Sequence, residues 1–159
     1  MKTMQTDAFW RVYVESRKIA GADYVVVAFG DSAAMATELA AHVVSGPKRA
    51  TCSLTRDYMD APATLPKVGD FVVVVDGDGI PQCIWKTTQV QIKPLNAVDD
   101  AFAWDEGEGD RSRQWWLDAH RRYFTRQAAR DGFEMHDAIE AVFERFEVVW
   151  PDPSETRGR

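Results

Sequence analysis

A chain of 159 residues with 45% hydrophobic side chains is long enough to bury a core and too short for two comfortable domains. Its formal charge of −6, from 19 Lys+Arg against 25 Asp+Glu, excludes a protein that coats nucleic acid, because such affinity comes from cations on phosphates; any RNA contact must be local. No apolar run approaches the ~18 to 20 residues of a membrane helix, no signal-peptide core opens the chain, and Cys52 and Cys83 are widely spaced, as reduced thiols would be; the expectation is a cytoplasmic protein without membrane partners.

Residues 6–19 predict a helix, with Thr6 or Asp7 as its cap, Phe9, Trp10, Tyr13 and Val14 at helical spacing, and Gly21 as its stop. Tyr24 to Phe29 is a β-branched run closed by Gly30. Asp31 or Ser32 then caps a second helix that reaches Val44 and buries Met35, Leu39, His42 and Val43. After the stop at Ser45-Gly46-Pro47, Lys48 to Leu54 reads as a strand. Phe71 to Val75 is a buried strand joined through the Asp76-Gly77-Asp78-Gly79 turn to a return strand from about Gln82 to Ile92. Leu95 to Trp104 predicts a short helix, Asp105 to Asp110 an acidic loop, and the stretch that starts near Asp110 or Ser112 a long helix with Trp116, Leu117, His120, Tyr123 and Phe124 on one face. Val142 to Trp150 closes the chain as a strand, with Phe146, Val148 and Trp150 in alternation. The domain reading is a helical extension over 1–23, a domain over 24–150 and a disordered tail over 151–159. Strands separated by helices, with one clear hairpin, define an α+β class and a small mixed β-barrel flanked by helices.

Two segments are dense in chemistry. Strand alternation puts Arg49, Thr51 and Ser53 on one face and Lys48, Ala50 and Cys52 on the other. Composition alone makes this an edge strand with a surface lysine; a functional strand needs the lysine to reach Thr51. In Asp105 to Ser112, two glycines allow close backbone approach, and acids ahead of a helix are favourable electrostatically. Asp105, Glu108 and Asp110 are weak candidates for a divalent cation. His42, His120 and His136 are scattered without a zinc signature, and His42 and His120 read as core or boundary residues. Trp115, off the main stripe, is a candidate for stacking a base.

Four blocks in order, Ala28-Phe29-Gly30-Asp31-Ser32, Gly46 to Leu54, Leu65 to Asp70 and Asp105 to Ser112, resemble the ASCH domain family. The resemblance covers about Tyr24 to Trp150. It implies a PUA-like barrel, an RNA-associated module whose partner is a modified nucleoside or single-stranded RNA. Similar proteins are N4-acetylcytidine amidohydrolases, which use a Lys-x-x-Thr pair and a downstream Glu, and metal-dependent single-strand ribonucleases. The first implies Lys48, Thr51 and Glu106 as catalytic residues, with Glu108 a rival for Glu106, and needs no cofactor. The second implies a divalent metal; a non-catalytic RNA-binding module is a third reading. Phe29, Asp31, Arg49, Ser53, Arg111, Ser112 and Trp115 are the implied substrate contacts. As the base that activates Thr51, Lys48 must be neutral, which requires burial or nearby cations such as Arg49 or Arg111 to depress its pKa.

Overall fold

A computed structural model describes residues 1–152; of the tail expected over 151–159, residues 153–159 lie outside the described residues. The elements are α1 (Met4–Arg17), β1 (Tyr24–Ala28), α2 (Ala33–Val44), β2 (Ala50–Leu54), β3 (Phe71–Val75), β4 (Pro81–Pro94), α3 (Asp100–Glu106), α4 (Arg113–Asp131) and β5 (Glu140–Trp150). The strands follow the order β1-β3-β4-β5-β2 in a mixed sheet. β1 is parallel to β3, with Tyr24 opposite Phe71, while β3 and β4 form an antiparallel pair and β2 is antiparallel to β5. Among the described residues, five strands and four α-helices confirm the α+β class.

The chain divides into two compact units. The first comprises Met1–Pro47, Lys67–Thr88 and the chain from Phe146 onward. Its central strand is β3, whose run of valines is explained by burial on both faces. Val73 and Val75 pack with Ile84, Tyr24 and the α1 residues Trp10 and Tyr13. Val72 and Val74 pack with Phe29, Val43 and Trp85, and Trp85 stacks on Phe146 at 3.9 Å.

Helix α1 begins two residues before the sequence-based start, because its capping box is Thr3 and Thr6: each hydroxyl accepts from the other residue's backbone N–H. Thr6 is fully buried against the Tyr24 hydroxyl, and Tyr24 in turn donates to Asp7, so Thr6 enters the cap only as the third helical residue and neither expected residue is the N-cap. Ser32 caps α2, one of the two residues expected to do so. The helix buries Ala36, Ala40 and Val43; of the expected stripe only Val43 is buried, and Met35, Leu39 and His42 are half-buried. Small alanines on the inner face let the helix axis approach the sheet, which leaves the longer side chains at its flanks.

The second unit comprises Lys48–Pro66 and Gln89–Arg145. Ala50 and Leu54 of β2 and Ala141 and Phe143 of β5 close over Phe102 of α3 and Trp116, Leu117 and Phe124 of α4. The expected helix over 95–104 is divided here: a 3-10 turn spans Leu95–Ala97, and α3 starts afresh behind Asp99, which accepts from the Phe102 N–H. Helix α3 also runs two residues into the expected acidic loop and stops at Gly107, whose φ of 70° is the left-handed conformation that closes helices. Asp105 and Glu106 are therefore helical, and this shift determines where the Glu106 carboxylate lies.

Candidate functional site: a buried lysine with two carboxylates and a histidine

The second unit contains a charged cluster that composition alone would place on the surface. Lys48, just before β2, and Glu106, the last residue of α3, are each 1% exposed. The Lys48 ammonium donates to Glu106 Oε1 at 2.9 Å and to the Ala50 carbonyl at 2.9 Å. Glu108 lies 3.8 Å away from the ammonium and is the partner nearer solvent, its side chain 17% exposed. The other Glu106 oxygen, Oε2, accepts from the Trp116 indole N–H and faces His120 Nε2 at 3.2 Å. Trp116 and His120, one helical turn apart on α4, stack at 3.8 Å, and His120 Nδ1 lies 2.8 Å from the Trp116 carbonyl.

Both His120 nitrogens thus face acceptors. A neutral imidazole can donate from only one of them, so the form that satisfies both contacts is the imidazolium. Burial opposes that charge, but the Glu106 carboxylate outweighs it and raises the His120 pKa above its ordinary value of 6.5. The same balance acts on the acid: burial would raise Glu106, yet Lys48 and then His120 hold it below the ordinary 4.5. Lys48 is raised as well, since Glu106 and Glu108 outweigh its desolvation. This corrects the expectation for Lys48. Its neighbours are carboxylates rather than Arg49 or Arg111, and it rests as an ammonium.

The linkage has a definite sign on each side. Glu106, depressed on folding, stabilises the fold fully above pH 4.5, and that contribution is lost as the pH falls through its folded pKa. His120, raised on folding, stabilises fully below pH 6.5, and its contribution is lost as the pH rises through its folded pKa. The urea midpoint of unfolding should therefore be highest between these limits, and His120→Gln should remove the decline on the alkaline side. An unchanged alkaline limb in that variant would show that His120 carries no folding-linked proton.

The remaining candidates from the sequence are placed as follows. Thr51 is half-buried on β2 at the register position opposite Glu144. The Ser53 hydroxyl meets the Tyr58 hydroxyl at 2.8 Å. Arg49 donates to the Lys48 carbonyl at 2.6 Å and through its backbone N–H to the Asp105 carbonyl at 2.7 Å, and so anchors the chain on either side of the ion pair. Arg111 lies 3.7 Å over the Trp104 ring and donates to the Trp104 carbonyl, while Ser112 caps α4. Trp115 is half-buried and packs so closely on Gly109 that a Cβ there would fall 2.1 Å from the indole. The more exposed indole is Trp104, 56% accessible. Phe29 and Asp31 belong to the first unit: Phe29 is buried 5.8 Å from Trp85, and Asp31 is exposed.

Of the three acids considered for a cation, only Glu108 joins the cluster. Asp105 pairs with Arg145 at 2.9 Å, and Asp110 accepts from the Ser112 N–H ahead of α4. Glu106, Glu108 and His120 do bring one ligand atom each within 4.8 Å of one another. Two carboxylates and an imidazole suit a divalent ion in kind. The arrangement does not, because the Lys48 ammonium already lies against both carboxylates and His120 presents an N–H toward Glu106 rather than a lone pair.

The fold and the buried centre together define a class: a small α+β domain with a mixed sheet, built around a lysine–carboxylate–histidine cluster. The chain belongs to the ASCH domain family, whose model matches residues 25–150. A crystal structure of an ASCH domain from Lactobacillus crispatus JV V101 superposes with a TM-score of 0.82 and 33% identity over 92% of this chain and 95% of that one. A protein from Enterococcus faecalis V583 superposes with a TM-score of 0.81 and 32% identity over 96% and 92% of the two chains. No curated protein matches the sequence. Among the described residues, no helix is long and apolar enough to cross a membrane.

Proposed function

We propose that this chain binds RNA or a modified nucleoside and hydrolyses an acyl amide on it, with N4-acetylcytidine as the representative substrate. The observation that carries the reading is the Lys48–Glu106 pair, both members 1% exposed and 2.9 Å apart. An ion pair buried so completely is a poor source of stability, because desolvation offsets most of the attraction, and strongly perturbed ionisable groups concentrate at functional sites. In this reading Thr51 is the nucleophile. Lys48 acts as a fixed positive charge that stabilises the developing oxyanion of the acyl group. Glu106, itself held by Trp116 and His120, fixes the ammonium in place. Glu108 is the longer and more exposed contact, and it gives way when the substrate oxygen approaches Lys48. A carboxylate that yields in this manner leaves the lysine charged at the moment it is needed. The single-strand ribonuclease reading requires a metal in the space that Lys48 occupies and is weaker for that reason.

Incubation with N4-acetylcytidine, and separately with labelled single-stranded RNA in manganese or in EDTA, tests the proposal by its products. Cytidine and acetate from the wild type, and neither from Thr51→Ala, are expected. RNA cleavage that EDTA abolishes, or RNA binding with no turnover of either compound, overturns the hydrolase reading in favour of a ribonuclease or a binding module. Affinity for unmodified RNA should be weak and should fall steeply with salt, given the net charge of −6. Nanomolar affinity that survives about 0.5 M salt contradicts this, because counterion release requires a steep loss.

A further inference from the structure

With Lys48 held as an ammonium, Thr51 lacks the proton acceptor that the sequence assigned to it. Glu106 cannot serve in its place, since its oxygens already accept from Lys48 and Trp116 and face His120. The β2–β5 register offers another carboxylate. Thr51 lies directly opposite Glu144 and Ser53 opposite Val142, on the strand face away from Ala50, Cys52 and Phe143. Side chains directly opposite in an antiparallel pair have Cβ atoms about 4.5–5.5 Å apart, within reach of a hydrogen bond between a carboxylate and a hydroxyl. Glu144 is only 7% exposed, and acidic residues are rarely buried to that extent unless they are paired.

The same neighbourhood is rich in hydroxyls. Ser53 meets Tyr58 at 2.8 Å. Burial, and then the Glu144 charge, keep the Tyr58 phenol above its ordinary range against the opposing Ser53 contact, so it remains a donor. Thr55, two residues beyond Ser53, has a buried Oγ1 with no hydrogen-bond partner among the described residues. Buried polar atoms are rarely left in that condition, and a polar ligand group is one way to satisfy it.

We propose that Glu144 is the general base that activates Thr51. The inference rests on the hydrolase reading above. The Thr51 hydroxyl proton passes to the Glu144 carboxylate as Thr51 Oγ bonds to the acyl carbon. The C–N bond of the amide then breaks, and the proton held by Glu144 goes to the departing nitrogen. Water, deprotonated by the same carboxylate, hydrolyses the acyl ester and restores Thr51 and the free acid.

p-Nitrophenyl acetate, an activated acyl donor that needs no nucleoside recognition, tests this step separately from substrate choice. The rate of acetylation at Thr51, read by peptide mass spectrometry, should fall on the order of 10² to 10⁴-fold in Glu144→Gln, the range for lost acid–base catalysis. Thr51→Ala should show no label at that position, and melting curves check the fold. Acetylation of Thr51 at the wild-type rate in Glu144→Gln, or labelling of the wild type only at other residues, overturns the proposal. Should the glutamine variant fail to fold, Glu144→Asp decides: a carboxylate withdrawn by one methylene must slow acetylation, and an unchanged rate overturns the assignment. Thr51 labelling that depends on Glu144, in a protein inert toward N4-acetylcytidine, sinks the nucleoside reading and supports the role of Glu144.

Discussion

Lys48→Met destabilises the fold by about 3–5 kcal/mol, the penalty for breaking a buried ion pair from one side. Methionine fills nearly the same volume, so loss of packing contributes little. What remains is the Glu106 carboxylate, 1% exposed and facing His120, with the Glu108 carboxylate nearby. The deficit has a distinctive pH dependence. In the variant the pKa of Glu106 rises toward and beyond its ordinary value, because desolvation is no longer outweighed, and protonation then relieves the buried charge. The stability gap between variant and wild type should therefore narrow as the pH falls, since the variant sheds its uncompensated charge at its raised Glu106 pKa, while the wild-type contribution begins to decline only below 4.5 and is lost toward the folded pKa of about 2. Urea titrations across that range measure the gap. A difference under about 1 kcal/mol at neutral pH, the size of a surface pair, would show that Lys48 is not buried as described.

Glu106→Gln should lower kcat/KM far more than Glu108→Gln, by on the order of 10² to 10³-fold, the range for a lost oxyanion-stabilising group, against less than about tenfold. Glu106 accepts from Lys48 on one oxygen and from Trp116 on the other, with His120 beside it. A glutamine has one acceptor oxygen and an N–H₂ group, so whichever way it turns, a donor meets a donor. Lys48 is then no longer fixed from the α3 side. Glu108 makes a longer contact of 3.8 Å and keeps some access to water, so an amide there removes one weak attraction. Turnover of N4-acetylcytidine, with melting temperatures as a control, decides between the two. Equal losses, or a greater loss at Glu108, would move the functional carboxylate to the loop.

Much of the scaffold was legible in local patterns. The valines of β3, the Asp76–Gly79 turn and the stripe of α4 each follow from a period or a turn residue, and each lies close to its predicted position. The elements that drifted did so at their caps. Thr3 rather than Thr6 starts α1, and Asp99 and Gly107 bracket α3, because a competing hydroxyl, carboxylate or glycine a few residues away fits the end geometry better. The site was legible unevenly. Lys48 and Glu106 are 58 residues apart, and no periodicity joins them; only the ordered sequence blocks did so. Sequence alone also could not give the charge state of Lys48, which depends on which ions the fold brings against it. His120 reads from the sequence as a core or boundary residue, yet it shares a helix face with Trp116 one turn earlier. Glu144 had a visible signal too, since it has the same parity on β5 as Phe146, Val148 and Trp150, the positions read as inward.

The stacking of Trp116 on His120 gives the protein an optical property. An indole 3.8 Å from an imidazole, with its N–H bound to a carboxylate, sits where a nearby proton alters the electronic surroundings of the ring. A protonated imidazole quenches indole emission more strongly than a neutral one. Titration of the site is thus written into the ultraviolet fluorescence of a single side chain among six tryptophans. The spectrum of the wild type minus that of Trp116→Phe isolates that side chain, so the charge state of the buried cluster can be followed in solution without an added label.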